Sequence, residues 1–284
     1  MKMNKVIDFR QTTGGMTCKL TRYLELLVLI EKEKWNPIPI WPASNLWKEN
    51  GKNLWSMLFQ NYATKDYDTY EKTDLFDWYE NYSEDKKIVR FQSRIKPFGW
   101  VQNLSPRDRK LAQSLIEKYI VPRNSIIKMI DEYQSDLFGN KKIIGVHCRG
   151  PGRQHGGVQK LRKHKKLKKD QVDYEDYFSL IDNHIQEYDK IFLTTDADVV
   201  RDVFFKRYNN KIIFINHELP KLGEAHEVAS AKKNIPSAEK MFTECLIDMY
   251  LLSRCDRLIC GNSNVSLYVQ CINSNLPTEF IYNY

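Results

Sequence analysis

Ile143-Ile144-Gly145-Val146-His147-Cys148-Arg149-Gly150-Pro151-Gly152-Arg153-Gln154-His155-Gly156-Gly157 is the stretch on which the fold turns. It opens as an apolar β run. Alternation along a strand places His147 and Arg149, two residues apart, on one side of the strand end. The loop that follows carries four glycines, Arg153 and His155. Glycines let an anion approach the backbone, and arginines fork onto phosphate oxygens. A buried strand entering a plain surface turn is the competing reading.

Downstream, helices and strands alternate. Asp173 to Tyr188 reads as a helix, Lys190–Asp196 as a strand with a polar end, and Ala197 to Tyr208 as a helix. Lys211–Ile215 is the next strand. Such β-α-β-α-β alternation predicts a parallel sheet with crossover helices, hence an α/β fold. Ligands of these sheets lie at the carboxyl ends of the strands. His147, Arg149, Thr195 and Asp196 all fall at such ends. An Asp-x-Asp pair, Asp196 and Asp198, is compatible with a metal-bound nucleotide. At a strand-to-helix junction it fits better as an N-cap (Thr195 or Asp196) with Asp198 in the first turn.

Ser237 to Arg254 predicts a helix that is apolar nearly all round and therefore buried. Glu244 and Asp248 interrupt it one turn apart on one face. A buried carboxylate needs a partner, hydration or a cleft, although a purely structural stripe remains open. Arg257–Gly261 reads as a strand, Asn262–Ser266 as a polar turn, and Leu267 to Ile272 as a helix. The Ser/Asn turn opening that helix is a ready anion site.

Upstream, Lys5–Phe9 is a strand candidate, and Leu20, Tyr23, Leu24, Leu27 and Val28 recur at helical spacing. Between them lies a polar turn with Gly14 and Gly15, placed where a βα turn can face a phosphate. Pro37–Trp41 completes a βαβ unit. Residues 42–100 are irregular and rich in aromatics, fit either for a sugar-stacking cleft or for a core. Pro106 to Tyr133 is helical in pattern, and Pro122 divides it into two helices.

The chain has 284 residues, 42% hydrophobic and 28% charged, enough for a proper core in one large domain or two ordinary ones. Its net charge of +8 favours anionic partners. Seven of the ten residues 160–169 are Lys or Arg. That run is either a solvated charge cluster or a contact for an anionic membrane surface or a pyrophosphate-bearing acceptor. Nothing near it resembles a nucleic-acid-binding motif. The six cysteines form no paired Cys-x-x-Cys pattern, so no zinc site is expected, and most read as buried thiols of a reducing compartment. The basic start lacks an apolar core of signal-peptide length, and no run of about 18 apolar residues occurs. The expected location is cytoplasmic, or peripheral at the inner face of the membrane.

Three segments carry a family resemblance: Ile144–Arg149, Phe192–Asp196, and Ile247–Asp256 with Gly261–Ser266. In this order they resemble the three motifs of the fucosyltransferase superfamily. Residues 246–256 are most similar to its nodulation-type α-1,6-fucosyltransferases. The resemblance covers about 140–272, and the first half matches only in outline through Gly14 and Gly15. It implies a GT-B architecture of two Rossmann-like domains facing across a cleft. The expected division is 1–138, on the acceptor side, and 139–284, binding a GDP-sugar. Arg149 would then hold the β-phosphate, and His147 and Asp248 would fix the nucleotide, with Asp248 accepting from guanine N–H groups. Arg153 would join the phosphate contacts, Ser263, Asn264 and Ser266 would bind phosphate at the helix start, and Asp196 would support the site.

The implied reaction is inverting transfer of a sugar to a hydroxyl of a glycan acceptor, lipid-linked in one version, with no metal and no permanently bound cofactor. L-fucose from GDP-fucose is the favoured donor. GDP-heptose or another GDP-sugar of surface polysaccharide synthesis fits the same nucleotide site, and a non-catalytic basic protein binding nucleic acid or a membrane is the contrasting reading. The family follows His-x-Arg with another basic residue and a loop holding a Glu base in core-type members. Here the loop runs Gly150-Pro151-Gly152-Arg153-Gln154-His155, with no carboxylate in it before Asp170. His155 becomes the base candidate, with Glu224 and Glu227 behind it.

Overall fold

The computed structural model describes residues 4–8, 16–40, 54–60, 75–76, 104–150, 173–221 and 238–281. Two parallel sheets organise them. The first comprises β1 (Asn4–Asp8), β2 (Asn36–Ile40) and β3 (Leu75–Phe76) in the order β2-β1-β3. Helix α1 (Met16–Glu33) makes the crossover from β1 to β2. Pro37 and Pro39 fit β2 because it is an edge strand, where a missing N–H breaks no inner ladder. Leu20, Tyr23, Leu24 and Leu27 are buried, as their spacing predicts. Trp55 of the short helix α2 (Leu54–Leu58) packs edge-on against Tyr23, with ring centroids 4.9 Å apart, and Phe59 is buried beside it. These two aromatics of the 42–100 stretch are core residues, not cleft residues.

Helices α3 (Pro106–Tyr119) and α4 (Asn124–Leu137) follow, separated at Pro122 as expected. Ser105 caps α3 by accepting from the Asp108 N–H, with Pro106 at the first helical position. Leu111 and Met129 are 42% and 38% exposed, because each helix buries only one face.

The second sheet has the order β6-β5-β4-β7-β8, all parallel. Its strands are β4 (Ile143–His147), β5 (Lys190–Thr194), β6 (Ile212–Ile213), β7 (Arg257–Cys260) and β8 (Thr278–Phe280). Helices α5 (Tyr174–Asp182), α6 (Asp198–Tyr208), α7 (Ala238–Ser253) and α8 (Asn264–Ile272) connect them. Every residue of β4 is buried, the signature of a central strand covered on both faces. On one face, Ile144, Val146, Ile191 and Leu193 pack with Phe178, Val200 and Phe204 of α5 and α6. On the other, Ile143, Phe192 and Leu258 join residues of α4, α7 and α8. Gly145 admits α7 on this face. A Cβ there would lie 2.9 Å from Cys255 Sγ and 3.1 Å from Leu252 Cδ2.

α8 packs against α1 and α3, and α4 packs against α7. One apolar cluster therefore runs from Leu20 and Trp55 through Leu115 and Ile130 to Leu252 and Val269. Truncating a fully buried member such as Leu252 to Ala costs about 2–5 kcal/mol. No helix among the described residues is long and apolar enough to cross a membrane.

Candidate functional site

From β4 the chain winds outward to β5 and β6, then returns to place β7 on the other side of β4. The loops leaving β4 and β7 thus diverge, and their carboxyl ends frame the crevice where parallel sheets bind ligands. His147, Arg149 and the Gly261–Ser266 turn occupy that switch point, with Thr194 and Asp196 at the adjoining end of β5.

His147 is 7% exposed. Its Nδ1 lies 3.2 Å from Thr194 Oγ1, and its Nε2 is buried with no hydrogen-bond partner among the described residues. Burial first, and then the Arg149 charge, push its pKa down to about 3, so the ring is neutral at pH 7. The backbone carbonyl of His147 accepts from the Tyr177 hydroxyl at 3.2 Å. That hydroxyl occupies the space a Cβ on Gly261 would need, 2.9 Å away. A glycine at 261 thus lets a tyrosine brace the ends of β4 and β7.

Arg149 Nε is 3.5 Å from Asp196 Oδ2, and both side chains are about a quarter exposed. Asp196 Oδ1 also accepts from the Gly150 N–H at 2.6 Å. This carboxylate holds the first turn of the glycine loop and the arginine together. The N-cap expected of Thr195 or Asp196 is therefore corrected. Position Ala197 is the cap, and the first N–H groups of α6, on Asp198 and Val199, donate to the carbonyls of Pro220 and Lys221. With those donors satisfied, Asp196 is spent on the loop. Asp198 does sit in the first turn of α6.

The α8 start is an N-capped helix end. Ser263 Oγ accepts from the Ser266 N–H at 3.0 Å, and Ser266 Oγ donates to the Gly261 carbonyl at 2.7 Å. The helix thus begins at Asn264, three residues before the expected Leu267. Both hydroxyls are buried and committed to the turn. What the helix start offers an anion is its backbone: the N–H groups of Asn264 and Val265 have no intrahelical acceptor.

Asp248 is in a second cluster, toward the side of the sheet where β6 lies. Its Oδ1 is 3.2 Å from Nε2 of His217, a residue the sequence reading did not single out. His217 Nδ1 is 3.6 Å from Glu244 Oε1. The two carboxylates, one turn apart on α7, thus face one imidazole. Burial works against its charge, but the contacts to Asp248 and Glu244 outweigh burial and raise its pKa to about 9. Burial also raises the Asp248 pKa, against the opposing pull of His217 and Arg201. Buried Arg201 of α6 donates to the backbone carbonyls of Ile215 and His217, both at 2.9 Å, and so holds this segment. Burial pushes the Cys245 thiol, one turn before Asp248, up to about 12, with Asp248 and Asp196 acting in the same direction and Arg149 against them. A cavity of about 600 Å³ opens beside the cluster, with Tyr133, Phe214, His217, Thr243 and Glu244 on its walls.

The structure therefore brings together His147, Arg149, Asp196 and the Ser263–Ser266 turn, with Asp248 nearby. Gly14, Gly15, Arg153, His155, Glu224, Glu227 and the basic run 160–169 lie outside the described residues. Among the described residues, no group of three His, Cys, Asp or Glu side chains has the geometry to hold a metal ion.

A family model described as Nodulation protein Z (NodZ) matches residues 106–274, more than half of the chain and all of this site. The chain belongs to the NodZ family. A search of curated protein sequences finds no match. Among solved structures, this NodZ-family chain is similar to fucosyltransferase NodZ from Bradyrhizobium, with 16% identity, a TM-score of 0.56, and 96% of this chain and 94% of that one covered. A NodZ alpha-1,6-fucosyltransferase soaked with GDP-fucose matches at 15% identity and a TM-score of 0.55, covering 95% and 93%. POFUT1 in complex with GDP matches at 11% identity and a TM-score of 0.52, covering 99% of both chains. At such identities the likeness establishes the fold, and the GT-B architecture implied by the motifs is the observed one.

Proposed function

We propose that the chain is an inverting glycosyltransferase that moves L-fucose from GDP-fucose to a hydroxyl of a glycan acceptor without a metal. The observation that carries this reading is convergence at one switch point. A neutral buried His147, an Arg149 braced by Asp196, and the N-terminus of α8 meet there, inside the span that matches the NodZ family. NodZ and POFUT1, in the structures named above, were studied with GDP-fucose and with GDP, which supports the choice of donor.

In this reading Arg149 and the α8 N–H groups receive the β-phosphate. The acceptor oxygen attacks C1 of the sugar from the face opposite the phosphate. The new C1–O bond forms as the bond to the diphosphate breaks, and GDP leaves with the bonding electrons. Charge builds on the departing diphosphate, and a preorganised guanidinium with helix N–H dipoles stabilises it without a cation. The acceptor proton goes to a base for which His155, Glu224 and Glu227 are the candidates. His147 Nε2 gains its partner from the bound nucleotide, and Asp248 accepts from the N–H groups of guanine. Asp196, engaged with Arg149 and Gly150, supports a metal-free reading. The lobes divide near residue 138, with the acceptor on the first. The protein works in the cytoplasm, and residues 160–169 hold it near an anionic, lipid-linked acceptor.

A thermal-shift series with GDP, UDP, CDP and ADP in EDTA tests the proposal. GDP alone should raise the melting temperature substantially. Stabilisation by another nucleotide and none by GDP would refute it, and a need for added divalent cation would refute the metal-free part. Parallel transfer assays with GDP-fucose and other GDP-sugars identify the sugar.

A further inference from the structure

We propose that His217 is a positioning residue for the donor's base, holding Asp248 so that its free oxygen meets guanine. The inference rests on the reading of Asp248 as the acceptor for that base.

The geometry is a relay of three side chains from three segments. Arg201, rooted in α6, fixes the 215–217 backbone through two carbonyls at 2.9 Å. Its guanidinium also lies over the Phe214 ring, 4.7 Å from the centroid. The His217 side chain, 10% exposed, therefore projects from a clamped segment toward α7. Both ring nitrogens face carboxylates: Nε2–H donates to Asp248 Oδ1 at 3.2 Å, and Nδ1 pairs with Glu244 Oε1 at 3.6 Å. Glu244 is paired in turn with Lys240 at 3.9 Å. His217 thus engages one Asp248 oxygen, while Oδ2 takes no hydrogen bond among the described residues.

Guanine presents an N1–H and a 2-amino group side by side. A carboxylate reads both only when it is ionised and correctly rotated. A buried Asp alone would favour its protonated form, which offers a donor where an acceptor is needed. A charged imidazole at one oxygen opposes that shift toward the protonated form and aims the other oxygen. Discrimination between bases then depends on a residue that need not touch the base.

Calorimetric titration with GDP and IDP tests this, because inosine lacks the 2-amino group. It is run on the wild type, His217→Leu, Asp248→Asn and the double variant, alongside steady-state kinetics. The wild type should prefer GDP by about tenfold, the worth of one charge-assisted hydrogen bond. His217→Leu should weaken GDP binding about tenfold and abolish most of the preference, with kcat at saturating donor within about threefold of wild type. In the Asp248→Asn background the same change should have almost no effect on GDP affinity, since the two side chains act as a unit. His217→Gln, which keeps a neutral N–H donor, should fall between wild type and His217→Leu, and it serves if His217→Leu does not fold.

A wild-type preference for GDP that survives His217→Leu, or survives undiminished in His217→Gln when His217→Leu does not fold, would overturn the positioning role and leave the donor reading intact. Equal losses from His217→Leu in both Asp248 backgrounds would do the same. A wild type that does not distinguish GDP from IDP would overturn the base assignment of Asp248, and this inference with it.

Discussion

At pH 7 His147 is neutral and His217 is charged, and their surroundings explain the difference. His147 meets a hydroxyl and an arginine, whereas His217 meets two carboxylates. The consequences for stability have opposite signs. The folded pKa of His147, about 3, lies below its unfolded value near 6.5. Its contribution is complete above pH 6.5 and is lost as pH falls toward 3, at up to about 1.4 kcal/mol per pH unit. The folded pKa of His217, about 9, lies above the unfolded value. Its contribution is complete below pH 6.5 and fades as pH rises to 9. Urea unfolding at pH 5 and pH 7 checks the first statement. The wild type should be weaker at pH 5, and His147→Gln should lose less between the two values. An equal loss in both would show that His147 does not carry the acid sensitivity. Of these two residues only His147 was legible in the sequence, because His-x-Arg at a strand end is a local pattern. His217 is a lone histidine after a two-residue strand, and its partner is 31 residues away. Periodicity exposed the shared face of Glu244 and Asp248 but not what faces it.

At the scale of elements, two small residues set how the helices meet the site. Gly145 lets α7 lie against β4, and a methyl group there collides with Cys255 and Leu252. Gly145→Ala should cost about 1–3 kcal/mol in chemical denaturation and weaken nucleotide binding by displacing α7. Unchanged stability would mean that α7 shifts freely. Ser263 ties off the start of α8, and Ser263→Ala should cost about 1 kcal/mol. Because phosphate is proposed to meet backbone N–H groups there, this variant should retain most of its GDP affinity. A large affinity loss with little loss of stability would show that the Ser263 hydroxyl itself binds the anion. The elements of the second half were readable because each has one clear period and polar ends. The short strands β3 and β8 were not, since two or three residues carry no period. The start of α8 was misplaced by three residues because its capping turn reads as loop until the Ser263–Ser266 bond is known.

Across the whole molecule, one apolar cluster runs from α1 and α2, beside the first sheet, to the second sheet, and the loops of the candidate site leave the carboxyl ends of that second sheet. The sequence alone made the α/β class and the presence of strands β4 to β7 along the chain apparent, but not their order in the sheet. It did not show that α8, packed against α1 and α3, joins the two halves through one core. The joining contacts are distant in the chain: the Arg109 guanidinium of α3, for one, donates to the Leu276 carbonyl 167 residues away. In the proposed function this sheet end binds a guanosine diphosphate through Arg149. Calorimetry of wild type and Arg149→Ala with GDP and with guanosine tests it most directly. The variant should fold, bind guanosine as the wild type does, and lose GDP affinity by about 10- to 100-fold, the worth of charge-assisted hydrogen bonds to phosphate. Equal GDP affinity in the two proteins would contradict it.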